Sequence, residues 1–330
     1  MHYEYIFYIK KEKMSNKQPE VYFYVPYADA LQVRKDEEKY TYANGIVSRR
    51  KFLKSPLNYI GGKYKLLPQL IEFFPEKINT FVDLFSGGFN VGINVDCNKV
   101  VCNDMNTFII DLYKELYSKP IDETLNKITG RINEYGLSKE NEEAFKKFRN
   151  YYNKTKEPID LYTLSCYSFN YQFRFNNNKE YNNPFGRNRS QFSDNMKSNL
   201  ILFTEKLKSM NVEFLSEPFD KVDLSRLNSE DFVYCDPPYL ITTGSYNDGN
   251  RGFKDWKEEE EIQLYKVLDE LNKRKVKFAL SNVIEHKGKE NILLKEWSKK
   301  YKTIYLTSDY SNSSYNTKRD KSIEVLIINY

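Results

Sequence analysis

Residues 233–239 read V-Y-C-D-P-P-Y, a stretch in which an apolar run meets an acid and two consecutive prolines. Its apolar first half is typical of a buried strand, but proline cannot continue a strand because it lacks the N–H that the ladder needs. The strand must therefore end at Asp236. The two prolines stiffen the backbone that follows, because each fixes its φ angle. Ligands of α/β folds bind outside the carboxyl ends of the strands, so this stretch predicts a ligand site.

Strand and helix patterns alternate on both sides of this stretch. Apolar runs predict strands at 81–85, 99–102, 212–215, 231–235, 277–282, 302–307 and 322–328, of which the last two can pair as a hairpin. Helical patterns cover 63–74, 107–117, 140–152, 197–209 and 257–273. In the last helix, the predicted apolar face consists of Ile262, Tyr265, Leu268 and Leu271. The alternation predicts a doubly wound α/β sheet, interrupted between 107 and 210 by an inserted, mainly helical subdomain.

The charge of the chain permits nucleic-acid binding without requiring it. The 330 residues include 51 Lys and Arg against 46 Asp and Glu, a net charge of +5. Two windows, 170–195 and 311–321, are locally basic and rich in Asn, Ser and aromatic residues, a composition that suits phosphate and base contacts. The same composition fits solvated surface loops equally well.

Cysteine and histidine usage argues against a metal site. The chain has two histidines, His2 and His286, and its cysteines, Cys97, Cys102, Cys166 and Cys235, show no C-x-x-C spacing. We therefore predict reduced core thiols in a cytoplasmic protein. Apolar runs fall short of the ~18 residues of a membrane span, and the charged amino terminus makes a poor signal peptide.

A glycine pair and an acid predict a nucleoside site near the start of the sheet. The stretch F-V-D-L-F-S-G-G-F-N-V-G at 81–92 predicts a strand, which carries Asp83, then the pair Gly87-Gly88 and then a helix. Glycines allow a ligand to approach the backbone closely. Asp104 ends the next strand, where a carboxylate can accept hydrogen bonds from both ribose hydroxyls. Because the pattern is not G-x-G-x-x-G, a nucleoside without a pyrophosphate fits, and S-adenosylmethionine is the common one. An ordinary tight turn is the alternative.

A second glycine pair lies upstream, in L-N-Y-I-G-G-K at 57–63. Lys63 can meet a carboxylate, such as the methionine end of that cofactor, and the Tyr59 ring can pack against it. Glycine pairs before helices are frequent, so this stretch alone is a weak signal.

The D-P-P-Y stretch can act on an exocyclic amine, whose lone pair is delocalised into its ring. The Asp236 carboxylate and the Pro237 carbonyl can accept the two amine hydrogens and aim the lone pair, and Tyr239 offers a flat face to the base. A base in a duplex must be flipped out to reach such a pocket. The alternative is a Pro-Pro turn with an incidental acid.

With these motifs in this order, the chain resembles the Dam-like (alpha-group) adenine-N6 DNA methyltransferases. N-Y-I-G-G-K precedes F-V-D-L-F-S-G-G, and a long gap separates both from D-P-P-Y. In that family the gap houses the target-recognition domain, and S-F-N-Y-Q-F-R-F-N followed by N-N-P-F-G-R is similar to its DNA-contacting hairpin. The resemblance runs from Pro56 to the end, including E-V-L-I-I-N-Y at 324–330. Tyr59 stands where the family often has Trp, and the first fifty residues have no counterpart.

The resemblance implies a role for each matching residue. The S-adenosylmethionine pocket is implied to involve Tyr59, Lys63, Asp83, Gly87, Asp104 and Asp236. The adenine is implied to be held by Asp236, Pro237, Pro238 and Tyr239, with Ser281 and Asn282 closing the pocket wall. Contacts with DNA are implied for Phe169, Asn170, Arg174 and Arg187, and the basic windows add Arg189 and Lys318. Phe169 and Asn170 match the place where the family inserts a side chain beside the flipped base. Arg174 is expected to read a base and Arg189 to contact phosphate.

The resemblance implies a monomeric, site-specific adenine-N6 methyltransferase acting on double-stranded DNA with a methyltransferase-type (Rossmann-like) fold. We expect it to be the modification partner of a restriction system whose endonuclease acts separately. Residues 51–106 and 211–330 would form the cofactor-binding catalytic domain, 107–210 the target-recognition domain, and 1–50 an extension of unknown role. Metal is not needed, because the sulfonium supplies its own electrophile. The alternatives are an RNA adenine-N6 methyltransferase, an N4-cytosine methyltransferase and a catalytically inactive DNA-binding protein.

Overall fold

A mostly parallel sheet organises the protein. The computed structural model describes residues 52–242, 256–306 and 322–330. Within them the sheet contains β1 (Thr80–Asp83), β2 (Lys99–Asn103), β3 (Val212–Leu215), β4 (Phe232–Cys235), β5 (Lys277–His286), β6 (Lys289–Glu290), β7 (Lys302–Leu306) and β8 (Ser322–Ile328). The strand order is β3-β2-β1-β4-β5-β8-β7, with β6 paired to β5. Strands β1 to β5 run parallel, and this order confirms the predicted doubly wound α/β sheet.

The strand order reverses between β1 and β4, which are hydrogen-bonded neighbours. Val82 pairs with Val233 and Asp83 with Tyr234, so the carboxyl ends of these two strands lie side by side. Ligands of open α/β sheets bind at such a reversal. The sheet therefore places the stretch after β1 beside the stretch after β4.

The predicted hairpin at the carboxyl terminus is confirmed. Strands β7 and β8 pair antiparallel, with Lys302 opposite Ile328 and Leu306 opposite Glu324. Strand β5 is longer than predicted, because its second half continues to pair with β8 and then with β6.

Eight α-helices accompany the sheet in the described residues. They are α1 (Leu67–Glu72), α2 (Thr107–Ser118), α3 (Ile121–Tyr135), α4 (Glu142–Thr155), α5 (Pro158–Cys166), α6 (Asp194–Lys208), α7 (Glu258–Lys273) and α8 (Ile292–Ser298). Helices α2 to α6 all lie between β2 and β3 along the chain, where the sequence predicts a helical insertion. Whether they form a separate target-recognition domain stays a prediction.

Alternate side chains of the strands face two separate cores. Phe81, Val100 and Phe232 belong to the apolar cluster that contains helices α2 to α6. Val82 and Val233 belong to the cluster on the opposite face, with α7 and α8. This two-residue alternation explains why the central strands are apolar throughout, since both faces of the sheet are covered.

The predicted apolar face of α7 is wrong at one position. Tyr265, Leu268 and Leu271 are buried, but Ile262 is 39% exposed. The buried stripe instead begins at Glu261, whose carboxylate is fully buried. A helix advances 100° per residue, so burying Glu261 turns Ile262 toward solvent.

Other departures have local causes. Helix α5 was not predicted because nearly all of its residues are buried, so it shows no amphipathic period. Helix α6 begins at Asp194, three residues earlier than predicted, because the Ser193 side chain caps it by accepting a hydrogen bond from the Met196 amide. Helix α3 was not predicted either, because it contains Gly130, a poor helix former, and is mainly polar.

All four cysteines lie in the described residues as free thiols. Cys102, Cys166 and Cys235 are buried as predicted, and Cys97 is partly exposed. In the parts of the chain that the structure describes, no helix combines the length and apolar character needed to cross a bilayer.

Candidate active site

Asp236 follows β4 directly and is held by two side chains from different segments. The Lys63 Nζ atom lies 2.9 Å from Asp236 Oδ1, and the Tyr239 hydroxyl donates to the same oxygen at 2.9 Å. The Lys63 ammonium also lies 5.0 Å from the centroid of the Tyr239 ring. Among the described residues, no hydrogen-bond donor reaches Oδ2. Both of these contacts to the carboxylate are thus made through one of its two oxygens.

This carboxylate and its cation are both largely shielded from water. The Lys63 side chain is 6% exposed and that of Asp236 is 17% exposed. Burial raises the pKa of the Asp236 carboxyl, and Lys63 and Tyr239 partly oppose that rise. Lys63 therefore favours the ionised form of the carboxylate in a place where burial disfavours it.

Lys63 was predicted to meet the carboxylate of the cofactor. In the structure it pairs with Asp236, and its ammonium donates a second hydrogen bond to the Gly61 carbonyl at 2.9 Å, while its contact with the cofactor stays a prediction. Gly61 adopts a left-handed conformation with φ of 81°, which the glycine tolerates without strain. The glycine pair therefore bends the chain so that the lysine meets the end of β4.

Tyr59 lies directly against the glycine pair Gly87-Gly88. A Cβ atom at Gly87 would come within 2.9 Å of Tyr59 Cδ1, and one at Gly88 within 3.1 Å of Tyr59 Cβ. Gly87 also has a positive φ of 44°. Its amide donates to Asp104 Oδ2 at 2.8 Å, and its carbonyl accepts from the Tyr113 hydroxyl at 2.7 Å. The structure thus brings Tyr59, Gly87 and Asp104 together.

Asp104 lies at the end of β2, as predicted. Its Oδ1 atom accepts from the Asn106 amide at 2.8 Å, and its Oδ2 atom accepts from Gly87. Burial raises the pKa of the Asp104 carboxyl, and these two amides oppose the rise. A carboxylate has about four lone-pair positions, so two remain for the hydroxyls of a ligand.

Two further observations at this strand end fit a bound nucleoside. Met105 exposes 38% of its surface although it is a large apolar residue next to the glycine turn. The Asn106 side-chain oxygen is buried without a hydrogen-bond partner in the described residues. An exposed apolar surface beside polar groups with unused capacity is typical of a ligand pocket.

Asp83 is the last residue of β1 and lies within the fold. It is 2% exposed, and its Oδ2 atom accepts from the Gly92 amide at 3.1 Å. Burial raises the pKa of the Asp83 carboxyl to about 8, the Gly92 amide opposes the shift, and the nearby charges of Asp236 and Asp104 add to it. Asp83 is therefore largely protonated at neutral pH.

Ser281 and Asn282 lie on β5 beside the start of the D-P-P-Y stretch, and their role as a pocket wall stays a prediction. The pairing of Cys235 with Leu280 sets the next residue of β5 alongside Asp236. The Ser281 hydroxyl shares a 2.8 Å hydrogen bond with the Tyr234 hydroxyl. Pro237 is buried on this side, whereas Pro238 is exposed.

The sequence analysis did not identify Glu261, whose carboxylate binds the side chain of Asn282. Its carboxylate accepts hydrogen bonds from four side chains, those of Trp256, Tyr265, Asn282 and Asn291, at 2.6 to 3.1 Å. Glu261 ends a run of four glutamates, so composition marks it as a solvated residue. The available signal was its spacing, since it lies three and four residues before Leu264 and Tyr265 on the buried stripe.

The residues predicted to contact DNA fall into separate groups. Phe169, Asn170 and Arg189 contact one another: the Arg189 guanidinium lies 4.4 Å from the Phe169 ring centroid and donates to Asn170 Oδ1. Arg187 instead pairs with Glu142 of α4 and is 66% exposed. Arg174 lies between the buried Phe173 and Phe175. Lys318 falls outside the described residues.

One contact that the sequence does not predict joins this region to the segment 57–63, which carries Lys63. The Asn58 side chain donates to the Asn170 carbonyl at 2.6 Å, and the backbone of Asn58 forms an isolated parallel bridge with Gln172. Asn58 immediately precedes Tyr59. The proposed DNA-contacting region and the cofactor segment are thus directly hydrogen-bonded.

Comparison with known proteins gives a consistent result. The family model of the D12 class N6 adenine-specific DNA methyltransferases matches residues 59–312. The chain is 56% identical over 328 residues to the type II methyltransferase M.FokI of Planomicrobium okeanokoites, and 55% identical over 287 residues to the modification methylase StsI of Streptococcus sanguinis. It is 28% identical over 278 residues to the DNA adenine methylase of Escherichia coli (strain K12).

The alignments differ in how much of each relative they cover. They include 99% of this chain but 48% of M.FokI, and 86% of this chain but 44% of StsI. The chain therefore spans less than half the length of these two relatives. For the Escherichia coli protein, the match covers 82% of this chain and 94% of the relative.

Proposed function

Because the chain belongs to the D12 class of N6 adenine-specific DNA methyltransferases, we propose that it methylates the N6 amine of adenine in double-stranded DNA, with S-adenosylmethionine as the methyl donor. The geometry at Asp236 is the observation that carries the proposal. Lys63 and Tyr239 both bind Oδ1 of this carboxylate, which leaves Oδ2 as an acceptor at the end of β4.

The protein would make the adenine amine more nucleophilic by placing a hydrogen-bond acceptor on each of its two hydrogens. Asp236 Oδ2 accepts one amine hydrogen, and the carbonyl of the buried Pro237 accepts the other. Both acceptors lie on backbone made rigid by the proline pair, so little reorganisation is needed when charge develops on nitrogen. The Tyr239 ring offers a face for the base. The amine proton leaves to water, so Asp236 need not be a strong base.

The cofactor pocket would lie between the ends of β1 and β2. When bound, S-adenosylmethionine supplies an electrophilic methyl group on its sulfonium. Asp104 would accept the ribose hydroxyls, and Tyr59 with Gly87 would form the adjoining wall. The unused capacity at Asp104 and Asn106 supports this fit. Asp83 would support the pocket from beneath through the Gly92 amide.

Residues 107–210 would form the target-recognition domain, which includes helices α2 to α6. Arg174 and Arg187 would contact DNA from this segment, with Phe169 and Asn170 beside the flipped base. An exposed aromatic ring supports a role in base contacts, since Phe169 exposes 42% of its surface.

We further propose that the protein is a monomeric, cytoplasmic modification methylase whose cognate restriction endonuclease acts separately. Support comes from the similarity to M.FokI and to the modification methylase StsI. Four free thiols suit a reducing compartment.

The test is transfer of a tritiated methyl group from S-adenosylmethionine to DNA and to RNA, followed by nucleoside analysis of the product. The proposal expects N6-methyladenine in DNA. Label in RNA would support an RNA methyltransferase, N4-methylcytosine would reassign the base, and binding to DNA without transfer would indicate an inactive protein. Asp236→Ala is the matched control, and we expect it to lower turnover about 100-fold, because one preorganised polar contact contributes ~3 kcal/mol.

A further inference from the structure

The corner at Phe169–Tyr171 has an unusual backbone. Asn170 and Tyr171 are consecutive non-glycine residues with positive φ, 54° and 57°. Asparagine tolerates the left-handed region, but a bulky aromatic residue rarely adopts it. A conformation of this kind persists only where surrounding contacts enforce it, and such sites are often functional.

The backbone of the corner is tied down on two sides. The Phe169 amide donates to the Pro184 carbonyl at 2.7 Å, and the Asn183 side chain donates to the Phe169 carbonyl at 2.9 Å. On the opposite side, Asn58 donates to the Asn170 carbonyl. These bonds hold part of the strained main chain, and the Phe169 and Asn170 side chains are held by a further contact, which adds to the stability of the corner.

Arg189 supplies that contact. Its guanidinium packs over the Phe169 ring at 4.4 Å and donates to the Asn170 side-chain oxygen. The Tyr171 hydroxyl donates back to the Arg189 carbonyl at 3.1 Å. One arginine thus contacts all three residues of the corner. A planar guanidinium can stack and donate at the same time, which a lysine ammonium cannot do in the same geometry.

We propose that Arg189 is a positioning residue, which holds Phe169 and Asn170 in the orientation needed beside the flipped base. This inference rests on the proposed function. The predicted contact of Arg189 with phosphate is a separate expectation, and in the DNA-free structure its guanidinium binds the corner. Arg187 shows the contrast, because it points to Glu142 and makes no such contact.

The test compares Arg189→Lys with the wild-type enzyme on a duplex whose methylated adenine has been mapped. Lysine keeps the positive charge but lacks the planar guanidinium, which stacks on a ring and donates several hydrogen bonds at once. We expect the single-turnover rate of methyl transfer to fall about 10-fold or more, since small misplacements are costly in rate. The DNA dissociation constant and its salt dependence should stay unchanged, because the charge is retained. The exposed Arg226, which lies before β4, provides Arg226→Lys as a control that should alter none of these quantities.

A double-mutant comparison separates positioning from other roles. If Arg189 acts through Phe169, then Arg189→Lys should slow the Phe169→Ala enzyme much less than it slows the wild type. An equal fold-loss in both backgrounds would overturn the proposal, as would a wild-type rate for Arg189→Lys or a loss of DNA affinity with a smaller salt slope.

Hydrogen exchange in the DNA-free enzyme tests the contact without any catalysis. Arg189→Lys should speed amide exchange at 168–172, and unchanged exchange there would contradict the proposal. If the wild type methylated no DNA, the proposed function would fail, and this measurement would still decide whether Arg189 holds the corner.

Discussion

Replacing Lys63 with methionine should leave the Asp236 carboxylate without its cation. Methionine fills a similar volume but carries no charge. With Lys63 6% and Asp236 17% exposed, water cannot readily take the place of the ammonium. The Tyr239 hydroxyl would remain as the one described donor to that carboxylate. The variant therefore isolates the ion pair.

The expected size of the effect follows from the geometry. Unit charges 2.9 Å apart attract by about 6 kcal/mol at an effective dielectric constant of about 20. Desolvation of both groups offsets part of this, and removal of one partner from a buried pair typically costs 3–5 kcal/mol. Because Tyr239 still donates to Asp236, we expect the unfolding free energy of Lys63→Met to fall by about 3 kcal/mol near pH 8.

The loss should depend on pH in a defined direction. Burial already raises the pKa of Asp236, and without Lys63 that pKa rises further. A carboxyl with a raised pKa stays protonated in the folded state after it has ionised in the unfolded state. Stability is therefore lost as pH rises above the unfolded value of about 4, and the penalty should be small near pH 5. The acidic limb of the transfer rate should move to higher pH.

The assay is urea unfolding near pH 5 and pH 8, together with single-turnover methyl transfer across the same range. Asp236→Asn provides the control background, since a neutral amide needs no cation. Lys63→Met should destabilise that background by much less than the wild type. An equal loss in both backgrounds, or a penalty that does not change with pH, would refute the assigned ion pair.

Three further predictions concern other residues. Asp104→Ala should weaken binding of S-adenosylhomocysteine, measured by calorimetry, by about 1.5–3 kcal/mol, the typical value of a hydrogen bond to a charged group; unchanged affinity would mean that β2 does not end at the ribose. Burial raises the pKa of Asp83 to about 8, so the stability of the wild type should fall as pH rises from about 4 to 8. Thermal unfolding should show that Asp83→Asn abolishes this pH-dependent loss, and a variant with the wild-type pH profile would contradict the prediction. Arg174→Ala should lose about 1–3 kcal/mol of discrimination at one base pair of the site; equal weakening on cognate and scrambled duplexes would remove its base-reading role.

The parts of the fold that the sequence predicts are those with a strong local period. Phe232–Cys235 was located because its apolar run ends at a proline pair, and α2 because its apolar residues recur at helical spacing. Helix α5 was not predicted, because a fully buried helix has no difference between an apolar and a polar face. Strand β5 was predicted too short, because its extension depends on pairing with β8 and β6, which lie beyond its own residues in the sequence.

Site residues were predictable where a functional residue type lies in a short motif at the end of a strand or beside a glycine pair. Asp236, Lys63 and Asp104 each stand at the end of an element or beside a glycine pair, so their types and spacing reveal them. That Lys63 would meet Asp236 was not predictable, because the pairing depends on how the Gly61 turn packs against β4. Asn58 was missed because its role lies in a contact with a distant segment, and Glu261 because it ends a run of glutamates that is typical of a solvated helix face.

Helices α2 to α6 leave and rejoin the sheet at adjacent strands, which has a consequence for how specificity could diversify. Asn103 pairs with Leu215, and the Val100 amide donates to the Asn211 carbonyl at 2.9 Å, so both ends of the insertion are anchored by the ladder. The entropy of closing a loop grows slowly, by about 0.6 kcal/mol for each doubling of length. Insertions of different sizes could thus be exchanged between 104 and 211 without moving Asp236. A transplanted segment would need to cover the same face of the sheet, since Phe81, Val100 and Phe232 pack against these helices, and to place a carbonyl that accepts from Asn58.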